Sequence, residues 1–344
     1  MFDRIAVLGV GAIGGVIGGY LSRAGHDVTL IDPWGAHIEA IRSKGLLISA
    51  LDEEFTVQAE AVHLGEACNI SEPFDAVFLC LKSYDTIWAT YFAMPHLTPT
   101  GVIVSAQNGI NDDRIAPIVG FSRTLGCVIT IGAGLYDPGN PTRTSVSDRA
   151  AFTVGELNGV ATRRIQELAE LLGVIGPTKV TTNLWGHRWA KLATNSMANP
   201  MCALTGLGSA AARETPGVVD VTVKIGAEVV RVGTALGVQV EPINGMASEM
   251  YVRATEDAET LEELKTRLAE GARELGAGRP SMLQDIMKGR RTEIEYLNGY
   301  VAQRGREVGV PTPACDTITE LIKRVERGEL KSDASNVDYM KQFI

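Results

Sequence analysis

The chain reads as an α/β domain with a doubly wound, mostly parallel sheet, followed by an all-α domain. Three observations predict that class. A glycine-rich hexapeptide, Gly9-Val10-Gly11-Ala12-Ile13-Gly14, stands between an apolar run and a helix-forming stretch. Strand-like and helix-like segments then alternate up to about residue 180. From Leu184 onward strand signals stop and the long apolar patterns carry helical spacing. Strands first and helices after describe two domains rather than one continuous α/β unit, and a chain of 344 residues is comfortable for two. The expected division is 1–180 for the sheet domain, 181–330 for the helical domain and 331–344 for a polar surface tail.

Taken in order, Ile5-Ala6-Val7-Leu8 is a buried parallel strand, Val16 to Ala24 a helix, and Val28 to Ile31 the second strand. Ile38 to Lys44 reads as helix, and Leu46 to Ala50 and Phe55 to Val62 as short strands of a small excursion. Ala76 to Leu81 is a continuous apolar strand, Ser83 to Met94 a helix and Gly101 to Ala106 the next strand. Leu125 to Gly132 and Ala151 to Gly155 add further strands. Between them Asp137-Pro138-Gly139-Asn140-Pro141 is a turn cluster that predicts a hairpin-like excursion. Ala161 to Leu172 is the helix that closes the domain. In the second half, Val218 to Leu236, Met246 to Leu275, Ser281 to Arg306 and Thr312 to Arg327 are the helical stretches. Glu256 to Glu274 is charge-rich and reads as a solvated face.

Composition excludes several classes. Lys plus Arg is 32 against 41 for Asp plus Glu, a net charge of −9, which argues against a nucleic-acid or anionic-membrane surface. No apolar stretch reaches the ~18 residues that a membrane span needs. Met1-Phe2-Asp3-Arg4 leads straight into the first strand, so no signal peptide is expected. The five cysteines, Cys68, Cys80, Cys127, Cys202 and Cys315, are scattered, with no CxxC or Cys/His cluster. A disulfide framework and a metal site are therefore not expected, and reduced cysteines fit a cytoplasmic protein.

The hexapeptide has the spacing of a dinucleotide-binding (Rossmann) fingerprint in its proper setting, after a strand and opening a helix. Gly9 permits the tight turn, Gly11 lets backbone approach a pyrophosphate, and Gly14 allows close packing of helix on strand. Ala12 and Ile13 lie in the first turn, where free N–H groups and the dipole face the phosphates. Asp32 ends the second strand, eighteen positions after Gly14. A carboxylate there accepts from a ribose 2′-OH and repels a 2′-phosphate. Pro33-Trp34-Gly35-Ala36-His37 supplies no Arg or Lys, and the nearest guanidinium is Arg42. NAD is thus favoured, with NADP as the alternative, because Lys82 at the end of a later strand could reach a 2′-phosphate. Asp32 has a second reading as the cap of the following helix.

Chemistry-bearing residues recur in the second half. Lys191, Asn195 and Asn199 are spaced i, i+4, i+8, one stripe on one helical face. A solvent-facing stripe is the plainer account, but it would usually carry charges rather than two amides. Pro200 biases Asn199 away from helical geometry, so a helix end or kink is expected there. Ser281 with Gln284 three residues on reads as a capping box. Asp285 and Glu293, eight apart, fall near one helical face, with Glu293 towards the apolar side. A carboxylate so placed needs a partner, and Lys191 is the candidate. Asn108, in Gln107-Asn108-Gly109, directly follows a strand. Ligands bind at such strand ends in open α/β sheets, although Asn-Gly is also ordinary turn chemistry.

Taken together, GVGAIGG (from Gly9), LKSYDT (from Leu81), QNG (from Gln107), WAKLATNSMANP (from Trp189), SMLQD (from Ser281), TEIEYLNGYV (from Thr292) and VGVPTP (from Val308) resemble the ketopantoate reductase family over nearly the whole chain. The resemblance implies a Rossmann domain, a helical domain, and reduction of a 2-oxo acid to a 2-hydroxy acid by a nicotinamide in a cleft between them. It implies Lys191 as general acid, Glu293 as its carboxylate partner and a substrate contact, and Asn108 as a bridge between cofactor and substrate. Asn195, Asn199 and Ser281 would position substrate, and Lys82 would touch the cofactor. Members are often dimers, so a homodimer is an expectation of the resemblance alone. Biosynthetic members usually prefer NADPH and carry an Arg where Asp32-Pro33 stand here. An NAD-linked dehydrogenase of another 2-hydroxy acid is therefore the alternative, with Lys191 as base in the oxidative direction. His187, one turn before Lys191, is a second acid/base candidate. A non-catalytic dinucleotide sensor would not need Lys191 and Glu293 together.

Overall fold

The computed structural model describes residues 2–275 and 278–343. It divides into two compact units, Met1–Leu184 and Trp185–Ile344. Gly276 and Ala277, on the approach to Ser281, lie outside the described residues.

The first unit holds β1 (Arg4–Leu8), β2 (Asp27–Asp32), β3 (Leu46–Ser49), β4 (Glu54–Val57), β5 (Glu60–His63), β6 (Phe74–Leu79), β7 (Leu97–Ser105), β8 (Thr124–Ile129), β9 (Ala133–Asp137), β10 (Asn140–Arg143), β11 (Phe152–Glu156) and β12 (Thr178–Val180). The main sheet runs β12-β11-β8-β7-β6-β1-β2-β5. Its six mutually parallel strands, counted along the chain, lie in the order 3-2-1-4-5-6 of a dinucleotide-binding sheet. β11 joins antiparallel to β8, and β12 extends it in parallel.

Such a sheet is covered on both faces, which is why its strands read as unbroken apolar runs. Along β1 the side chains alternate between two cores. Ile5 and Val7 belong to the core with Val16, Ile17 and Leu21 of α1 (Ala12–Arg23), Ile38 and Ile41 of α2 (Gly35–Lys44), and Leu168 and Leu172 of α5 (Arg163–Gly173). Ala6 and Leu8 belong to the core with Ala89 and Ala93 of α3 (Thr86–Ala93) and Ile115 and Val119 of α4 (Asp112–Val119). Helix α5 spans Arg163–Gly173 and buries Ile165, Leu168, Leu171 and Leu172, a single stripe.

The region 46–62 differs from expectation. Residues 55–62 are not one strand of an excursion. Phe55 to Val57 pair with β3 in a second sheet, β4-β3-β10-β9, whereas β5 pairs with β2 and becomes the third Rossmann strand. The expected hairpin is β9–β10, and Gly139 at φ +80° supplies the left-handed position of a turn entered through Pro138.

The second unit is helical: α6 (Leu184–Thr205), α7 (Ser209–Glu214), α8 (Val218–Ala235), α9 (Ser248–Arg253), α10 (Ala258–Leu275), α11 (Ser281–Met287), α12 (Asn298–Val308) and α13 (Pro313–Glu326). Helix α6 does not end at Pro200. Proline cannot donate to the carbonyl four residues back, and that carbonyl, Ser196 O, instead accepts from Asn298 Nδ2 at 3.1 Å. The helical spacing over 281–306 is also interrupted. Helix α11 closes in a Schellman motif: Gly289, at φ +61°, donates to Ile286 O and Arg290 N to Asp285 O at 2.8 Å. A short 3-10 segment, Ile294–Tyr296, precedes α12. Asp285 and Glu293 therefore do not share a helix. The last stretch is not a surface tail throughout, since Val337 and Met340 are buried and Asn336 Nδ2 donates to Leu204 O at 3.0 Å.

Candidate active site

In the first unit the functional loops leave the ends of three adjacent strands, β1, β6 and β7. The glycine loop follows β1. Gly9 has φ +93°, and a Cβ there would lie 2.7 Å from Leu81 N, so only glycine fits against the loop that follows β6. A Cβ on Gly14 would fall 2.0 Å from Gly9 O. At Gly11 nothing lies within 4 Å of such an atom. The crowded glycines thus shape the loop, and the open one leaves room for an approaching ligand. Helix α1 begins after Gly11 with no side-chain cap, and its first hydrogen bond is Gly15 N to Gly11 O at 2.8 Å. The first-turn N–H groups, from Ala12 to Gly14, are the donors a pyrophosphate uses.

Asp32 is buried at the end of β2. Its Oδ2 accepts from Val10 N at 2.7 Å and its Oδ1 from Trp34 N at 2.8 Å. It therefore braces the glycine loop and turns the chain into α2, whose cap residue is Trp34 rather than Asp32. A carboxylate has about four acceptor positions, so lone pairs remain for a ribose hydroxyl. Arg42 is engaged elsewhere: its Nε donates to Ala61 O at 2.8 Å, and its guanidinium pairs with Glu39 and Glu66. This open glycine, uncapped helix start and buried carboxylate fit a nicotinamide dinucleotide.

The loops after β6 and β7 are stapled together. Gln107 Nε2 donates to Leu81 O at 2.8 Å and to Thr86 Oγ1 at 3.0 Å. Ser83 Oγ and Asn111 Nδ2 both donate to Asn108 O, at 3.1 and 2.9 Å. Lys82 and Asn108, both half-buried, sit on these joined loops, and Gly109 at φ +77° takes the strained position of the turn. Ser83, Thr86 and Gln107 fall within the LKSYDT and QNG segments without a role assigned from sequence, and Asn111 lies outside both. Their one signal was the recurrence of small polar residues directly after two apolar strands.

In the second unit α6 is continuous from Leu184 to Thr205, so Lys191, Asn195 and Asn199 form one stripe along it. Asn195 and Asn199 are buried and Lys191 is half-buried. Burial pushes the Lys191 pKa down, and no opposing carboxylate contributes. Among the described residues no hydrogen bond or ion pair joins Lys191 to Glu293. The Glu293 carboxylate is buried, past the turn that ends α11 and directly before the 3-10 segment Ile294–Tyr296. Ser281 is also not a cap. It is the first residue of α11, Pro280 holds the cap position, and Gln284 Nε2 donates to Arg279 O at 2.8 Å. His187 is half-buried, one turn before Lys191. Among the described residues no group of three or more His, Cys, Asp or Glu could hold a metal, and no helix is long and apolar enough to cross a membrane.

A dinucleotide-binding sheet and a separate helical unit carrying a desolvated lysine define an oxidoreductase that acts on a CH–OH group with a nicotinamide dinucleotide. The family model for "Ketopantoate reductase PanE/ApbA" matches residues 5–159, and its C-terminal counterpart matches 183–326. The chain belongs to the ketopantoate reductase family. The 2-dehydropantoate 2-reductase of Pyrococcus horikoshii is 32% identical, over 94% of this chain and 97% of that one. The enzyme of the same name from Archaeoglobus fulgidus is 29% identical, over 95% and 99%. A PanE/ApbA family ketopantoate reductase structure from Ralstonia eutropha superposes with a TM-score of 0.78 at 26% identity, covering 95% of this chain and 99% of its own. D-mandelate dehydrogenase, solved with NADH and anilino(oxo)acetate, shares the fold with a TM-score of 0.81 at 23% identity, covering 95% and 100%.

Proposed function

We propose that this protein reduces 2-dehydropantoate, or a closely related 2-oxo acid, to the 2-hydroxy acid, with NADH preferred to NADPH. The observation that carries the reading is Lys191: an amine with a lowered pKa on the same face as two buried amides, in a chain of this family. When bound, the nicotinamide supplies a hydride to the carbonyl carbon. The carbonyl electron pair then moves to oxygen, and the Lys191 ammonium gives that oxygen its proton. Desolvation weakens the N–H bond to be broken and makes lysine a better donor. Asn195, Asn199 and Ser281 hold carboxylate or hydroxyl groups without adding net charge, and Glu293 accepts from a substrate hydroxyl. Asn108, on the stapled loop, bridges cofactor and substrate, and Lys82 contacts the cofactor.

The preference for NADH rests on Asp32, whose negative charge opposes a 2′-phosphate, and on the engagement of Arg42 elsewhere. The same carboxylate favours a second reading, an NAD-linked dehydrogenase oxidising another 2-hydroxy acid with Lys191 as the base. One experiment separates the two: initial rates with a panel of 2-oxo acids and NADH or NADPH, and with the matching 2-hydroxy acids and NAD. Ketopantoate with NADH is expected to be the best pair, and Lys191→Ala to lower kcat by about 10²–10⁴-fold with NADH affinity kept. Wild-type turnover in Lys191→Ala would remove the lysine from the chemistry. A preference for NADPH would overturn the role given to Asp32.

A further inference from the structure

Two adjoining cavities lie in the helical unit: the smaller is lined by α6, α7, α8, α10 and Asn244, and the larger, open to solvent, by α7, α10 and the turn at 244–246. The smaller is about 20 Å³ and the larger about 320 Å³; Arg213, Asn244 and Leu268 line both. The smaller has room for about one water molecule. The larger is of the size that takes a small organic ligand. Among the described residues the charged groups lining the cavities are arginines, Arg213 in both and Arg267 in the larger.

Arg213, in α7, is half-buried. Its Nη1 donates to Leu268 O at 3.2 Å. Among the described residues it has no carboxylate partner. A guanidinium brings five N–H donors, and burying its charge is costly unless an anion answers it. Burial pushes its pKa down, opposed only by Cys202 and Tyr251. Arg267, by contrast, is half-exposed and pairs with Glu263 at 2.7 Å. Asn244 stands opposite in a two-residue turn, at φ +52° beside Gly245 at +78°. Ile243 and Met246 exchange two backbone hydrogen bonds across that turn, at 2.8 and 3.0 Å. Thr194 Oγ1 lies 3.5 Å from Asn244 Oδ1 and ties the turn to α6. The non-glycine residue held in the left-handed region thus brings an amide to the wall where Arg213 sits.

We infer that the larger cavity binds a small oxyanion, a carboxylate or phosphate group, with Arg213 as its anchor and Asn244 and Arg267 as flanking donors. Guanidinium pairs with such groups through two parallel hydrogen bonds, so the anion would supply the acceptor pair that Arg213 lacks among the described residues. The oxyanion has two sources, the far end of the reacting acid or a separate small molecule. The inference goes beyond the proposed reduction, because binding is read without turnover.

The test is calorimetric titration of the full chain with inorganic phosphate, under saturating NADH so that the start of α1 does not compete. Wild type is expected to bind phosphate, Arg213→Met to bind it at least about tenfold more weakly, and Arg267→Met to lose less. Steady-state rates with phosphate as inhibitor then separate the sources. A rise in KM for the 2-oxo acid assigns the cavity to the substrate's own far end, and a change in kcat alone assigns it to a separate ligand. No phosphate binding by wild type at millimolar concentration, or equal binding by Arg213→Met, overturns the inference. Should Arg213→Met not fold, Arg267→Met at its exposed position decides: wild-type affinity there counts against the site.

Discussion

Gly11 and Gly14 stand three residues apart in one motif and answer to different constraints. A methyl group on Gly14 would meet Gly9 O at 2.0 Å, whereas one on Gly11 would meet nothing. Gly14→Ala should therefore lower thermal stability, and Gly11→Ala should keep wild-type Tm while losing NADH affinity. Thermal melts with NADH titration of both variants check this; equal Tm values would show that the motif does not divide its work in this way. Lys191 is the other residue whose surroundings set its behaviour. Its pKa is lowered by burial, so the folded chain binds fewer protons than the unfolded chain between the two pKa values. Stability then rises with pH across that window, and at neutral pH the buried charge is a cost. Reduction needs the ammonium, so its rate should fall as pH rises, with an apparent pKa below that of ordinary lysine. Lys191→Met should remove the cost and raise Tm by about 2 °C while turnover is lost. A pH–rate profile and a melting curve are the two measurements, and a lower Tm would mean that the amine is held by a partner. The stripe to which Lys191 belongs was legible in sequence because helix periodicity alone defines it. The pairing of Asp32 with Val10 N was not, because nothing in the spacing says which backbone donor a buried carboxylate will meet.

At the scale of elements, two helices depend on side chains from elsewhere in the chain. Helix α13 starts with Thr312 as a cap residue whose side chain accepts from no backbone N–H of the helix, followed by Pro313, which has no N–H. The next two donors, Ala314 N and Cys315 N, go to Glu228 of α8 at 2.9 and 2.8 Å. Glu228 is buried, and burial raises its pKa although both backbone donors act to lower it. The folded state thus holds the proton more tightly than the unfolded chain, so this group's contribution to stability is largest below the ordinary carboxylate pKa. It is lost as pH rises through the folded value. Glu228→Ala leaves two buried N–H groups without an acceptor and should cost about 2–4 kcal/mol in urea unfolding. Glu228→Gln keeps one acceptor and should cost less. Equal losses would mean that packing, not capping, is what the residue supplies. Asn298 plays the matching part for α6, answering the Ser196 carbonyl that Pro200 leaves open. A proline in a helical pattern reads as a stop from local rules, and only the distant amide makes it a continuation. The break after α11 is the reverse case. Apolar spacing runs on past Gly289, and the left-handed glycine ends the helix regardless.

For the whole molecule, the class of the main sheet, doubly wound and mostly parallel, was legible in the chain from apolar strands alternating with helices and a glycine loop after the first. Parallel strands joined by right-handed crossovers leave few ways to arrange them. The assignment of β5 was not legible, because 55–62 reads as one run of strand-forming residues and only pairing with β2 splits it between two sheets. The last residues were hidden by composition, since a polar segment with few apolar residues reads as surface. Those few, Val337 and Met340, are buried, and the segment also closes the end of α6. Ser332 Oγ donates to Ala203 O at 2.6 Å, and Asp333 N and Asn336 Nδ2 both donate to Leu204 O at 3.0 Å. These carbonyls are among the last of α6, which the helix cannot satisfy itself. Two buried side chains and three hydrogen bonds together are worth on the order of 5 kcal/mol, which in a chain of this size corresponds to roughly 10 °C in Tm. A chain ending at Lys331 should show that loss by calorimetry. It should still bind NADH, because every residue proposed to hold the dinucleotide lies in Met1–Leu184. A truncated chain that melts within about 1 °C of the full one would return the segment to the surface, where its composition had put it.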